Sequence, residues 1–327
     1  MLNLAHSNIN DLRPVVSLEN SAFLLENESE YQLWRKTKLS TCQRGNASKV
    51  VSVPAFSTSL KKPDNSLDRI SEQINNFNFA IFEIDSTDEP WSSENFLEFG
   101  RKFGLHRLDY NQGAQSNGIT LLSALDSSDR RSRYIPYTNR ALNWHTDGYY
   151  NNIDSSIGAF TLFCSHRADQ GGRNFLLDYE LLYIQLRDAA PELLSALMQP
   201  DIMVIPANIE NNRVIRPAET GPVFSVDSVD GHLNMRFSAR PQNIGWKSDA
   251  LSEQAINLVR ELLIDNENAI EILLEPGQGV ICNNVLHGRT SYSDNPASEK
   301  SRLYYRARYY DRIKLPDSHL SGSDGIE

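Results

Sequence analysis

Between Asn143 and Tyr310 the chain breaks into short runs of β-branched, aromatic and aliphatic residues, each closed within a few positions by Gly, Pro, Asn or Asp. Gly158–Cys164, Asn174–Leu177, Ile202–Ile205, Val223–Val226, Leu233–Phe237, Ile270–Leu274, Gly279–Cys282 and Arg302–Tyr310 read as strands. Many short strands divided by turns leave a sandwich, a jelly roll or a barrel as the available architectures. Helical spacing interrupts the series at Asp178–Ala189, Pro191–Met198 and Ser252–Asp265. The fold expected is mainly β with flanking helices.

Upstream, the first 75 residues are polar and irregular, with a short helix around Glu28–Lys36 and a strand at Val50–Val53. Leu67–Asn75 reads as a helix, Phe77–Ile84 as a strand, Phe96–Phe103 as a helix closed by Gly104, and Ile119–Leu122 as a buried strand. The expected organisation is an N-terminal extension over residues 1–66 packed on a core domain over 67–317, then a mobile polar tail over 318–327. A net charge of −10 argues against phosphate-backbone binding, so nucleic acid is not expected as a partner. Three scattered cysteines, Cys42, Cys164 and Cys282, fit a reduced compartment better than a disulfide framework. No run of about eighteen apolar residues suggests a membrane span. The expectation is a soluble cytoplasmic protein.

Within this β-rich region, Asn143-Trp144-His145-Thr146-Asp147-Gly148-Tyr149-Tyr150 carries a His-X-Asp pair. On an extended strand or strand end, residues two apart share a face, so His145 and Asp147 can reach one ion. Gly148 allows the backbone to turn sharply behind them. Two ligands do not hold a metal, and the third must come from elsewhere. Of the seven histidines, His106, His166 and His232 lie in polar surroundings without a suitably spaced carboxylate, and His6 and His319 sit near the termini. His287 follows the strand-like Gly279–Leu286 and precedes Gly288-Arg289, which places it at the end of an element in the same region. Two histidines and one carboxylate with open positions form the facial triad of non-haem Fe(II) oxygenases.

In Arg302-Leu303-Tyr304-Tyr305-Arg306-Ala307-Arg308, period two puts Arg302, Tyr304, Arg306 and Arg308 on one face. On a solvated outer face such a row has no special meaning. Inside a barrel the guanidiniums need anionic partners, because an unpaired buried charge is very costly. Carboxylate ligands bound in bidentate fashion would meet that need. Arg236, in Leu233–Phe237, could add to such a site, and Tyr149 and Tyr150 could pack a substrate's carbon skeleton. Two other classes use the same residues: a zinc-type metallohydrolase on the same triad, and a non-catalytic jelly-roll protein that senses anions.

Several motifs occurring in one order resemble the Fe(II)/2-oxoglutarate dioxygenases of the taurine dioxygenase (TauD/TfdA) superfamily, including the γ-butyrobetaine and trimethyllysine hydroxylases. His145-Thr146-Asp147 looks like the family's metal motif, Gly171-Gly172-Arg173-Asn174 like its Gly-Gly turn, and Val285-Leu286-His287-Gly288-Arg289 like its distal histidine motif. The resemblance spans roughly Leu67 to Leu315. It implies a double-stranded β-helix (jelly roll, clavaminate synthase-like), with His145, Asp147 and His287 holding Fe(II). It further implies that Arg302 partners the distal carboxylate of 2-oxoglutarate, with Asn174 where the family often has a hydroxyl touching this cosubstrate. Arg306 matches the position that holds a substrate sulfonate. Tyr137 matches a tyrosine of an ammonium-binding cage, but Arg308 falls where another cage aromatic would stand, so an anionic substrate group is favoured. The implied reaction hydroxylates an aliphatic C–H bond of a small carboxylate, sulfonate, amino acid or betaine, consuming O2 and 2-oxoglutarate and yielding succinate and CO2. A homo-oligomer is compatible with the family.

Overall fold

The computed structural model describes residues 21–54, 65–85, 91–228, 231–242, 244–298 and 300–314. The expected tail at 318–327, together with His6 and His319, lies outside the described residues. Ten strands of the described residues make up two sheets: β1 (Val50–Val53), β2 (Phe79–Ile84), β3 (Thr120–Leu122), β4 (Leu142–His145), β5 (Ala159–His166), β6 (Asn174–Leu177), β7 (Ile270–Ile272), β8 (Gln278–Cys282), β9 (Leu286–Arg289) and β10 (Leu303–Tyr309). The major sheet has the order β1-β2-β8-β5-β10-β3, antiparallel except for the β1–β2 pair. The minor sheet runs β7-β6-β9-β4, antiparallel throughout. Short β pairs and hairpins between residues 203 and 246, and the pairing of Gln170–Gly171 with Tyr292–Ser293, add to the β content.

Strand alternation assigns the two faces of the major sheet. Phe79 and Ile81 of β2, Phe160 and Cys164 of β5 and Tyr304 of β10 join Leu176, Leu177 and Leu286 of the minor sheet in one apolar core. Ala80 and Phe82 of β2, Phe163 of β5, and Ala307 and Tyr309 of β10 face the other way, against helices α2 (Ser66–Phe77) and α3 (Ser93–Arg101). There Phe82 and Phe99 meet with ring centroids 4.4 Å apart, and each fully buried phenylalanine contributes roughly 1.5–3 kcal/mol. On β10 the helix-facing residues are therefore 305, 307 and 309. The even positions, Arg306 and Arg308 included, look into the space between the sheets and are buried. The arginine row is thus an interior face, as the jelly-roll reading requires.

Several sequence-predicted bounds shift for identifiable reasons. The helix expected at Glu28–Lys36 runs on to Arg44 as α1 (Glu28–Arg44). Its docking residues are Tyr31, which donates to Asp188, and Lys38, whose Nζ lies 2.6 Å from both Asp178 and Glu180. A buried lysine is tolerated because two carboxylates neutralise it. The strand expected at Gly279–Cys282 is β8 of the major sheet, but the strand-like stretch on to Leu286 is interrupted: the chain crosses at Asn283–Val285 to β9 of the minor sheet. The sequence reading did not include the hairpin Asn208–Glu210/Arg213–Arg216, closed by Asn211 and Asn212 with φ of 50° and 61°. No helix among the described residues is long and apolar enough to cross a membrane.

Candidate metal centre

Pairing of β9 with β4 sets His287 directly opposite His145. The imidazole centroids are 4.2 Å apart, and Nε2 of His145 is 3.9 Å from Oδ1 of Asp147. One ligand atom from each of His145, Asp147 and His287 falls within 4.8 Å of the other two. The structure therefore brings together residues far apart in sequence by ordinary antiparallel register. Asp147 lies two residues beyond His145, just past the end of β4. Between them Thr146 is pinned at both backbone and side chain: its N–H donates to the Phe237 carbonyl at 3.0 Å, and its Oγ1 accepts from the Phe237 N–H at 3.1 Å. Gly148 has φ +66°, and a Cβ there would sit 2.4 Å from Ile157, so the sharp turn after the carboxylate needs glycine.

The proton states suit a divalent cation. Nδ1 of His145 lies 2.9 Å from the Asn143 carbonyl, and Nδ1 of His287 lies 2.9 Å from the Val285 carbonyl. A carbonyl only accepts, so each Nδ1 carries the hydrogen and each Nε2 presents a lone pair. Burial, and then the neighbouring His287, push the His145 pKa down to about 3; burial likewise lowers that of His287. Burial pushes the Asp147 carboxyl upward, but Arg306 and Arg308 together outweigh it and hold the group well below the usual carboxylate range. The set is two neutral imidazoles and one carboxylate. Oδ2 of Asp147 is buried and has no hydrogen-bond partner among the described residues, which a metal ligand would explain.

Arg306 and Arg308 of β10, and Arg302 just before it, divide by their partners. Arg306 Nη1 donates to Asp147 Oδ1 at 3.0 Å, leaving its Nε unpartnered. Arg308 is held by Asp109 and donates to the Tyr150 hydroxyl at 3.0 Å, with Tyr310 donating to the same aspartate at 3.0 Å. Its charge is already matched. Arg302, only 2 % exposed, has no carboxylate against its side chain among the described residues, and its Nε and Nη1 make no hydrogen bond. Its guanidinium instead stacks on Tyr304 at 4.0 Å and Tyr292 at 4.9 Å. The Asn174 amide nitrogen and the Tyr292 hydroxyl are also buried and unpartnered. The Arg302 and Asn174 N–H groups can only donate and the Tyr292 hydroxyl can donate too, so together they form a cradle for an anion.

Of the other residues singled out from the sequence, Tyr137 is buried with the Arg131 guanidinium 5.5 Å from its ring centroid; burial raises its phenol pKa against the opposing charges of Arg306, Arg131 and Arg308. Tyr149 and Tyr150 pack edge to face with centroids 5.3 Å apart. Arg236 donates to the Tyr149 carbonyl at 2.6 Å and shares with Thr146, Asp147 and Asn284 the lining of a cavity of about 30 Å³. Neither histidine nor any arginine of β10 reaches that cavity, so Arg236 stands apart from the cradle. Sequence reasoning missed Asp109, Tyr292 and Arg289. The last is buried, donates to the carbonyls of Thr138 and Arg140, and has its pKa lowered to about 10 by burial and by Arg302. Its place immediately after His287-Gly288 was the available signal.

The sequence matches the profile of the taurine catabolism dioxygenase TauD, TfdA family over residues 50–307. A uridine-5'-phosphate dioxygenase from Streptomyces is 27 % identical over 272 residues, covering 79 % of this chain and 93 % of that protein. Among solved structures, an asparagine oxygenase in complex with Fe(II), 3-hydroxyasparagine and succinate superposes with a TM-score of 0.53 at 13 % identity, over 75 % of this chain and 78 % of the other. The non-heme iron oxygenase OrfP with Fe and alpha-ketoglutaric acid gives 0.54 at 15 % identity, over 76 % and 80 %. At these identities the structural likeness speaks for the shared fold.

Proposed function

The chain belongs to the taurine catabolism dioxygenase TauD, TfdA family and is an Fe(II)/2-oxoglutarate-type dioxygenase, and from that premise we propose that it hydroxylates an aliphatic C–H bond of a small anionic substrate. The observation that carries this reading is the presence in one chain of the clustered His145, Asp147 and His287 ligand atoms and of a buried, uncompensated Arg302. A zinc-type hydrolase has no use for the second feature.

In this reading His145, Asp147 and His287 hold the iron. With 2-oxoglutarate and O2, bound iron supplies the oxidising chemistry, one oxygen atom going to the substrate and one to succinate as CO2 leaves. Everything else is the protein's work. The Asn143 and Val285 carbonyls fix the imidazole tautomers, so that Nε2 faces the ion in both rings. Arg302 takes the distal carboxylate of 2-oxoglutarate, aided by the Asn174 amide, and the phenols of Tyr292 and Tyr304 hold the guanidinium flat. Arg306 is the main contact for the substrate anion: its Nε is free, and the carboxylate it touches shares its charge with the ion once that ion is bound. Arg308, committed to Asp109, serves chiefly to set Tyr150 at the mouth. Tyr137 and Tyr149 line the substrate's path.

The Streptomyces relative is named for a nucleoside monophosphate, which adds phosphate monoesters to carboxylates, sulfonates, amino acids and betaines as substrates to screen. The test is iron-loaded protein incubated with 2-oxoglutarate, O2 and this panel, read by succinate release and product mass. An anionic substrate that gains one oxygen atom supports the proposal. Succinate formation driven only by cationic or neutral compounds would refute the anionic assignment.

A further inference from the structure

Asp147 poses a structural problem that the metal alone does not solve. It lies beyond the last residue of β4, so strand pairing does not hold its backbone, yet its carboxylate must stand at a fixed place relative to two histidines. The side chain of Asn284 fills this gap. Its Oδ1 accepts the Asp147 N–H at 2.7 Å, and its Nδ2 donates to the Asp147 carbonyl at 3.0 Å and to the Ile157 carbonyl at 2.8 Å. Both amide hydrogens and the amide oxygen are used, and the group is buried. In effect a side-chain amide substitutes for one more rung of the β4–β9 ladder.

The backbone of Asn284 explains why asparagine stands there. It has φ +47°, in the left-handed region that asparagine and glycine tolerate best, at the crossover from β8 to β9. His287 follows three residues later. One short segment therefore carries a histidine ligand and also grips the carboxylate ligand. We propose that Asn284 is a positioning residue of the metal centre, fixing the Asp147 carboxylate relative to His287; this rests on the metal reading given above. Removing such support to a ligand typically weakens metal affinity about 10- to 100-fold.

Two variants separate side chain from backbone. Asn284→Gly keeps the left-handed conformation and deletes the clamp. Asn284→Asp keeps the shape but replaces Nδ2 and its two N–H donors with one carboxylate oxygen facing the Asp147 and Ile157 carbonyls. The probe is Co(II), titrated into metal-free protein and followed by its ligand-field absorption and by calorimetry. Val51→Ala, in β1 on the helix-facing side of the major sheet, serves as a variant that loses stability away from the site. The expected result is Co(II) affinity reduced about 10- to 100-fold in both Asn284 variants, with an altered absorption spectrum and cooperative unfolding retained. Val51→Ala should lower the melting temperature and leave affinity and spectrum alone. Wild-type Co(II) affinity in folded Asn284→Gly overturns the proposal. Absence of Co(II) binding by the wild type overturns the metal reading and the proposal with it. Hydrogen exchange at the Asp147 amide of the metal-free wild type needs no variant: slow exchange supports the clamp, and exchange at the rate of an open loop overturns it.

Discussion

Replacing Arg302 with glutamine separates a ligand-binding arginine from a structural one. In the free protein this guanidinium is buried, stacked on two phenols, and without an anionic partner among the described residues. Holding an unpaired cation there is a cost to folding, only partly offset by the stacking, worth about 1–2 kcal/mol. Arg302→Gln should therefore leave the stability of the ligand-free protein nearly unchanged or raise it slightly. With 2-oxoglutarate bound, the same group is proposed to make two charge-assisted hydrogen bonds to a carboxylate. At about 1.5–3 kcal/mol each, their loss amounts to about 3–6 kcal/mol, or a rise in the dissociation constant of at least about 100-fold. The assay has two arms: calorimetric titration of 2-oxoglutarate into the Co(II)-loaded protein, and thermal unfolding with and without 2-oxoglutarate. The wild type should be stabilised by the ligand in proportion to the logarithm of its concentration over the dissociation constant. The variant should show the same baseline and almost no shift. An unchanged dissociation constant, or a ligand-free protein destabilised by several kcal/mol, would refute the assignment.

Asp109→Asn leaves Arg308 buried opposite a neutral amide, so urea unfolding should show a loss of about 3–5 kcal/mol, whereas a loss below about 1 kcal/mol would mean the pair is solvated. Lys38→Met strands Asp178 and Glu180 side by side and should destabilise the chain by a similar amount; an unchanged urea midpoint would show that α1 docks without this triad. Once a substrate is in hand, Arg306→Gln should raise its KM at least about tenfold while leaving the 2-oxoglutarate dependence near that of the wild type, and a defect confined to 2-oxoglutarate would exchange the roles of Arg302 and Arg306.

The candidate metal-binding triad was legible because few residue types can do that work and because a His-X-Asp pair is local. His287 could be picked from a small set by its place at a strand end. The arginine row was legible as a period-two pattern, but whether it faced solvent or core was not. Alternation gives two faces and does not say which is inside; the helices packed on Ala307 and Tyr309 decide it. Contacts across great sequence distance were invisible for the same reason. Asp109 meets Arg308 only because β10 and the segment before β3 are neighbours in space, and nothing local marks that aspartate. Asn284 falls inside the strand-like stretch Gly279–Leu286 in the sequence, where nothing local marks a side chain that grips the backbone of Asp147. The length of α1 is hard to read because its surface is mostly polar: Tyr31 and Lys38 are its buried residues, with Trp34, Leu39 and Cys42 packed half-buried against the core. Arg236 was placed on a strand with apolar neighbours, yet its side chain folds back on the Tyr149 carbonyl.

The most direct test of the central claim follows oxygen-dependent conversion of 2-oxoglutarate to succinate by the Fe(II)-loaded protein beside its Asp147→Ala variant. The wild type should form one succinate per 2-oxoglutarate consumed, only when O2 is present, and the variant should form none. No succinate from the wild type across the whole substrate panel, or equal turnover by the variant, would contradict the assignment of His145, Asp147 and His287 as the iron site of a dioxygenase.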